Sequence, residues 1–374
     1  MDRAFYRKLA DDALADVPLS DELALRVLTD PALDLFDLVH AAYEVRRHYH
    51  GKVVQVHILN NAQNGRCPED CAYCTQSRDS DVPIEDYAIK SDAEIMAEAR
   101  RASEAGAHRY CMVFAGRGPN DKRTAHLADL VRQIKTTFPA MEVCVSAGLL
   151  DEPKAKVLKD AGLDRLNHNL NTSARNYAQI CTTHTYADRI ATLEAARRAG
   201  LEVCSGLITG MGESHGELIE LARTLHKYNA QSIPVNFLLP FEGNVLAEPR
   251  DLTPEYCLRV LCLFRFINPR AEVRCAAGRE FHFRSLEVMC LYPANSIFLG
   301  GYLNGKGEER RRTYQMIRDA GFTIESEYPL DDLLGEIDAD AGATPAAAPM
   351  SVTVDGRSAT LKTLEELRPA RAGA

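Results

Sequence analysis

Val53-Val54-Gln55-Val56-His57-Ile58-Leu59 runs through Asn60, Asn61, Asn64 and Gly65 into Cys67-Pro68-Glu69-Asp70-Cys71-Ala72-Tyr73-Cys74. The β-branched residues of the first run predict a strand, and the asparagines and glycine predict its end. A strand feeding directly into a loop is the first unit of a pattern that repeats along the chain. Ser91-Asp92-Ala93-Glu94 has capping-box spacing and opens a helix with Ile95, Ala99 and Ala102 on one face. Residues 109–115 read as the next strand, and Leu127, Leu130, Val131 and Ile134 keep helical spacing after it. Further strands are expected at residues 141–145, 164–170, 201–204, 232–237, 272–275 and 296–299, each separated from the next by a helical pattern. From Val53 this makes about eight βα units in about 260 residues, and such alternation with short connections predicts parallel strands in a closed (β/α)8 barrel of the TIM type.

The flanks differ from the barrel. Residues 1–48 read as an N-terminal helical extension, with Ser20-Asp21-Glu22 as one helix start, expected to close one end of the barrel. Residues 49–330 are the barrel domain, and 331–374 read as an Ala/Pro-rich linker and short tail, centred on Ala341-Gly342-Ala343-Thr344-Pro345. With 46% hydrophobic and 26% charged residues the 374-residue chain has the composition of an ordinary globular protein. A net charge of −9 argues against a general nucleic-acid or anionic-membrane surface. No apolar run is long enough for a membrane span. Eleven cysteines behind a start, Met1-Asp2-Arg3-Ala4-Phe5, without signal-peptide character point to a reducing cytoplasm, where thiols are available for metal.

Three thiols in one short loop can ligate one metal centre. A cubane of four irons held by three cysteines leaves one iron open to a small molecule, which suits catalysis better than electron transfer alone. The competing reading is a structural zinc site, for which His57 is the nearest fourth ligand, poorly placed inside a strand. Cys111, Cys144 and Cys204 each fall in an expected barrel strand at matched depth. Side chains alternate in and out of a barrel, so the three either converge on its axis or serve as small buried hydrophobes. Cys257, Cys262 and Cys290 lie on or near apolar helices and read as core. Asn167-His168-Asn169-Leu170-Asn171-Thr172 puts three amides at one strand end, where barrel enzymes keep their active-site groups.

The C-x3-C-x2-C spacing, with Tyr73 just before the last cysteine, resembles the signature of the radical S-adenosylmethionine enzymes. The longer string from Asn61 through CPEDCAYCTQS resembles the biotin synthases, and the likeness extends over residues 45–325. It implies a 4Fe-4S cluster on Cys67, Cys71 and Cys74, and a 2Fe-2S cluster on Cys111, Cys144, Cys204 and Arg274. It implies S-adenosylmethionine contacts from Tyr73, Asn169, Asn171, Arg189 and Ile208, and substrate contacts from Asn169 and Asn236. The implied reaction inserts sulfur at two unactivated carbons of dethiobiotin to give biotin. Those C–H bonds are too weakly acidic for any side-chain base, so no catalytic acid or base is expected. A flavodoxin- or ferredoxin-type electron donor and a homodimer belong to the same expectation. Two departures stand out. Asn171 occupies a position where some members carry Asp, and Cys275 follows Arg274, so that a bulge would make Cys275 the ligand instead. Gly278-Arg279-Glu280 also matches the family, without a role that chemistry suggests. The alternatives are another radical S-adenosylmethionine barrel enzyme, such as a maturase or methylornithine-type mutase, and a non-enzymatic iron–sulfur or zinc protein.

Overall fold

The computed structural model describes residues 3–340, 351–354 and 357–369. The barrel strands are β1 Val53–Gln63, β2 Arg109–Phe114, β3 Glu142–Ser146, β4 Arg165–Asn167, β5 Glu202–Cys204, β6 Leu207–Thr209, β7 Ser232–Phe237, β8 Glu272–Cys275 and β9 Ser296–Phe298. All pair in parallel, and β9 pairs back onto β1 through Gln55–Ser296, Val56–Ile297 and His57–Phe298, which closes the barrel. The fifth position is shared: β5 meets β7 only at Cys204–Ser232, and β6 continues against β7 from Leu207 to Thr209. β1 does not stop at Asn60. It continues to Gln63, shifting register between Asn61 and Gln63, because β2 offers it partners as far as Phe114.

The alternation of each strand sorts two kinds of residue. Val54, Val56, Tyr110, Met112, Val143, Val145, Leu166, Val203, Ile233, Val235, Val273 and Ile297 join the main apolar core, which lies between strands and helices. Their neighbours, among them His57, Arg109, Cys111, Cys144, Arg165, Ser232, Glu272, Arg274 and Ser296, are buried outside that core, on the inward face. Barrel interiors are ordinarily filled with branched aliphatic side chains. This one is filled with thiols, hydroxyls and ion pairs, so the interior is built for chemistry as well as for packing.

Local signals set the helices around it. Ser91 and Glu94 form the expected capping box on Asp92–Glu104, and Asp151 caps Glu152–Asp160, with Pro153 in its first turn. The N-terminal helices are α1 Arg3–Leu14, α2 Asp21–Thr29 and α3 Leu35–His50. They pack mainly along the outer helices His215–Lys227 and Pro254–Ile267, where buried Arg259 donates to Val27 O (3.0 Å) and Leu33 O (2.9 Å). Asp16 and His50 reach the N-terminal end of the barrel, beside Gln55, Arg165, Glu202 and Glu272.

The C-terminal segment holds more structure than a linker. Residues 330–340 form a helix against Arg310–Asp319, with Leu333 seated over Gly106. The stretch 341–349, expected as a flexible linker, lies outside the described residues. Beyond it, Ser351–Val354 and Arg357–Thr360 pair as a hairpin, and a short helix, Leu364–Leu367, follows. This segment docks on the barrel mouth: Lys306 N donates to Thr360 O and Lys362 N to Asn304 O, both at 2.8 Å.

Candidate active site

Cys67, Cys71 and Cys74 line a cavity of about 240 Å³ at the C-terminal ends of the strands, together with Tyr73, Asn169, Asn171, Arg189, Ile208 and Asn236. A chain of amides fixes the root of the cysteine loop. Asn61 Nδ2 donates to Asn64 Oδ1 (2.8 Å), Asn64 Nδ2 to Asn304 Oδ1 (2.8 Å), and Asn304 Nδ2 to Thr75 Oγ1 (3.0 Å). Within the loop Cys74 N donates to Cys71 O at 3.0 Å. Burial pushes the Cys74 thiol up to about 11, and burial likewise raises the Cys67 thiol. Uncompensated thiolates are costly here, and a bound cation would supply the compensation. Three thiols on one polar cavity therefore fit a metal cluster.

Arg189 is the main charge of the opposite wall. Its guanidinium is buried, donates to Asn169 O (2.7 Å) and Tyr177 OH, and reaches His184 Nε2 at 2.9 Å. Among the described residues it has no carboxylate partner. A buried cation without a counter-ion is costly, and a fork of this kind suits an incoming carboxylate. Asn171 sits at φ +67, a left-handed conformation Asn tolerates, and donates to Tyr73 OH. Asn169 Oδ1 accepts from Gly206 N at 3.0 Å, while its Nδ2 is left for the cavity. Asn236 is more committed: Nδ2 donates to Leu207 O (2.7 Å) and Oδ1 accepts from Ala277 N (3.1 Å). Its Nδ2 also reaches Pro234 O at 3.5 Å, so what remains for a ligand is the second acceptor site of the amide oxygen. Tyr73 and Ile208 pack with Ala72, Ile180, Met211 and Leu238 as a small apolar cluster beside the cavity. The turn after Ile208 is held by Glu213, which accepts from Gly210 N (2.8 Å) and Met211 N (2.9 Å).

Deeper in the barrel, Cys111 and Cys144 stand opposite each other in register, and Cys144 hydrogen-bonds with Cys111 on one side and Cys204 on the other. Arg274 Nη1 lies 3.8 Å from Cys204 Sγ, and Asn167 Nδ2 lies 3.2 Å from the same sulfur. All three thiols are buried, at 6%, 2% and 1% exposure. Cys275 lies on the other face of β8, in the outer core, and hydrogen-bonds with Cys290. No bulge interrupts β8, so the alternation of the strand separates Cys275 from the thiol trio. Tyr302 spans the two sets of thiols. It lines the cavity and feels Cys111, Cys74 and Cys204, although burial is the larger reason its hydroxyl is held above the usual range.

Beneath Arg274 is a charged layer. Glu272 pairs with Arg274, with Arg109 Nη1 (2.8 Å), with Arg165 Nη1 (2.9 Å) and with His57 Nε2 (3.0 Å). Burial alone would raise its carboxyl, yet the Arg109 and Arg274 guanidiniums hold it well below the usual carboxylate range. Burial, then the nearby Arg274, holds His57 neutral by pushing its pKa well down. His57 thus belongs to this layer and makes no fourth ligand to the cysteine loop.

Residues 64–225 match the model of the Radical SAM superfamily, and residues 234–323 that of the Biotin and Thiamin Synthesis associated domain. The chain is 55% identical to the biotin synthase of Magnetococcus marinus over 317 residues, covering 85% of this chain and 98% of the relative. It is 45% identical to the biotin synthase of Bacillus subtilis over 321 residues, covering 86% and 96%. The chain belongs to the biotin synthase family. Among solved structures it resembles a methylornithine synthase (TM-score 0.73, 19% identity, covering 87% of this chain and 99% of the other). It also resembles the FeFe-hydrogenase maturase of Carboxydothermus hydrogenoformans (TM-score 0.72, 18% identity, covering 88% and 81%). These two share the barrel fold, while the high identity lies with biotin synthases, so neither a maturase nor a mutase is favoured.

Members of this family are radical S-adenosylmethionine enzymes, and the cofactors that go with membership are a 4Fe-4S cluster, S-adenosylmethionine and, typically, a 2Fe-2S cluster. Several residues of the site were invisible to sequence reasoning. Glu272, Ser232 and Ser296 follow no motif; only the period-two alternation that places Arg274 inside also places Glu272 there. Ser232 Oγ accepts from Arg274 Nη2 at 2.8 Å and Ser296 Oγ from Arg274 Nε at 3.1 Å. Cys181 and His184 follow a short helix, Ala174–Ile180, that the sequence pattern had left unassigned. Gly278, at φ +81, is explained by the fold: a Cβ there would meet Phe237 O at 2.3 Å. Arg279 is spent on Glu280 (2.8 Å) and Glu287 (2.9 Å).

Proposed function

We propose that this protein makes biotin from dethiobiotin, with Cys67, Cys71 and Cys74 holding the 4Fe-4S cluster and Cys111, Cys144, Cys204 and Arg274 the 2Fe-2S cluster. The observation that carries the reading is the second set. Three inward thiols in mutual contact, with a guanidinium at 3.8 Å, lie below a cavity lined by three more thiols. A radical S-adenosylmethionine enzyme whose chemistry needs no sulfur donor has no need of that inner set. When bound, the outer cluster supplies the electron that generates a 5′-deoxyadenosyl radical and the inner cluster supplies sulfur.

The chain's own residues bind, orient and exclude water. Arg189 takes the cofactor's carboxylate, since its buried charge has no other anion. Asn169 and Asn171 face the ribose and the substrate, and Ile208 with Tyr73 offers the apolar seat for adenine. Asn236 presents its remaining acceptor site to the substrate's ureido ring. Arg274 is held towards Cys204 by Glu272, Ser232 and Ser296, which fixes the one nitrogen ligand of the inner site. We assign residues 49–330 to the catalytic barrel, and 1–48 and 331–374 to accessory segments. A flavodoxin- or ferredoxin-type donor, a homodimer and a cytoplasmic location complete the proposal. No helix among the described residues is long and apolar enough to cross a membrane.

The test is direct. Anaerobically reconstituted protein incubated with dethiobiotin, S-adenosylmethionine and reduced flavodoxin should produce biotin and 5′-deoxyadenosine. Cofactor cleavage with no biotin would move the protein to another activity of the same superfamily.

A further inference from the structure

Beside the cysteine loop, Cys181 and His184, which the reaction does not use, close in on Cys71, which it does. Cys71 Sγ is 3.8 Å from Cys181 Sγ, Cys181 Sγ is 3.3 Å from His184 Nδ1, and the ligand atoms of all three lie within 4.8 Å of one another. A tetrahedral zinc site with Zn–S of about 2.3 Å and Zn–N of about 2.0 Å has S···S edges of about 3.8 Å and S···N edges of about 3.5 Å. The Cys71–Cys181 and Cys181–His184 separations match two edges of that tetrahedron, and the third, Cys71 to His184, lies within 4.8 Å. Glu69 Oε2 hydrogen-bonds with His184 Nδ1 at 2.6 Å, shorter than the ~3.3 Å edge between two ligands on one tetrahedral ion, so the carboxylate is the adjacent group that would swing onto the fourth corner. The trio is held in place: Asp70 Oδ1 accepts from Thr182 N (2.9 Å), Thr183 N (3.2 Å) and Thr183 Oγ1 (3.0 Å), which ties the Cys181–His184 turn to the cysteine loop. Two thiolates with Glu69 and Asp70 outweigh the nearby cations, Arg189 at 2.9 Å from His184 Nε2 and Arg117 at 3.6 Å from Glu69.

We propose that the protein, before its iron–sulfur cluster is in place, binds zinc(II) at Cys71, Cys181 and His184, with Glu69 as the fourth ligand. Two ligand protons leave as the metal enters, one from each thiol; His184 binds as neutral imidazole, keeping its one proton on the ring nitrogen away from the metal, and Glu69 binds as a carboxylate. Cys71 belongs to both sites, so zinc and the four-iron cluster exclude each other; this second statement rests on the reading of Cys71 as a cluster ligand. Zinc then acts as a placeholder that cluster assembly has to displace, and Cys181 is what gives this chain that competition.

Cobalt(II) is the probe for the full-length, cluster-free protein under reducing conditions. The wild type should bind one cobalt with sulfur-to-metal charge transfer and the intense ligand-field bands of a four-coordinate ion, and zinc should abolish them. Cys181→Ala should lose at least tenfold in cobalt affinity, and His184→Gln should lose the same with no core thiol removed. Cys67→Ala should bind cobalt as the wild type does. No sulfur-ligated cobalt in the wild type, bands unchanged in Cys181→Ala, or bands lost in Cys67→Ala would each overturn the site; the last result would place the metal on the loop thiols instead. In a separate arm, iron and sulfide are added to zinc-loaded protein. Loading should be slowed in the wild type and unaffected by zinc in Cys181→Ala. A four-iron cluster that still assembles in Cys71→Ala would overturn the exclusion while leaving the cobalt result standing.

Discussion

Glu272 is the carboxylate on which the inner site converges: Arg109, Arg165 and Arg274 pair with it, and neutral His57 lies 3.0 Å away. Removing that one negative charge leaves several buried donors without an acceptor. Glu272→Gln should therefore cost about 3–5 kcal/mol in denaturant unfolding of the cluster-free protein. The pH dependence has a fixed sign. The Glu272 carboxyl is held well below its ordinary value in the folded state. Its contribution is fully present above the unfolded value, about 4.3, and is lost as pH falls below it towards the folded value. Acid unfolding of the wild type below about pH 4.3 should be steeper than that of Glu272→Gln; equal slopes would show that the layer is not coupled to stability. The loop cysteines and the three strand cysteines were legible from spacing and from strand period. Glu272 was not, because a carboxylate on a strand carries no signature until its partners on β2 and β4 are known. Cys181 was hidden for a similar reason: its neighbours in space, Cys71 and Glu69, lie more than a hundred positions away.

At the scale of the element, all eight barrel positions were legible because β-branched runs alternate with helical patterns, most of them opened by a side-chain cap such as Ser91, Asn120, Asp151 or Ser214. Register was less so. β1 runs through Asn60 and Asn61, residues that ordinarily end strands, since pairing with β2 outweighs their turn preference. The residues 330–340 read as a linker because acidic residues and the neighbouring Ala/Pro stretch masked them, and packing over Gly106 makes the helix. Gly206 joins β5 to β6 where the chain passes closest to β7: a Cβ there would lie 1.9 Å from Pro234 O. No rotamer relieves a clash with backbone. Gly206→Ala should push β5 from β7, cost about 1–3 kcal/mol, and displace Cys204, which pairs with Ser232 at that point. The expected outcome is a lower thermal midpoint and loss of the inner cluster with the outer one retained. Retention of both clusters at full occupancy would show that the strands absorb the strain.

At the scale of the whole molecule, the C-terminal segment is tied to the barrel mouth. The residues after 350 pair with the loop around Gly305, and that loop reaches the cysteine loop through Asn304 and Thr75. Lys90 Nζ donates to Leu367 O, and Arg368 Nη2 lies 2.6 Å from Glu94. Deleting residues 341–374 should leave the barrel folded and speed hydrogen exchange at the Lys306 amide at least tenfold, because its acceptor, Thr360 O, is gone. Unchanged exchange there would mean that the segment does not dock in solution. The central claim concerns two cofactor sites stacked along one barrel axis, each with its own thiols. Mössbauer spectroscopy of anaerobically reconstituted protein, wild type beside Cys144→Ala, tests it most directly. The account predicts one 4Fe-4S and one 2Fe-2S cluster per chain in the wild type, and the 4Fe-4S cluster alone in Cys144→Ala. A wild type with only the 4Fe-4S cluster, or a Cys144→Ala protein that keeps its 2Fe-2S signal, would contradict it.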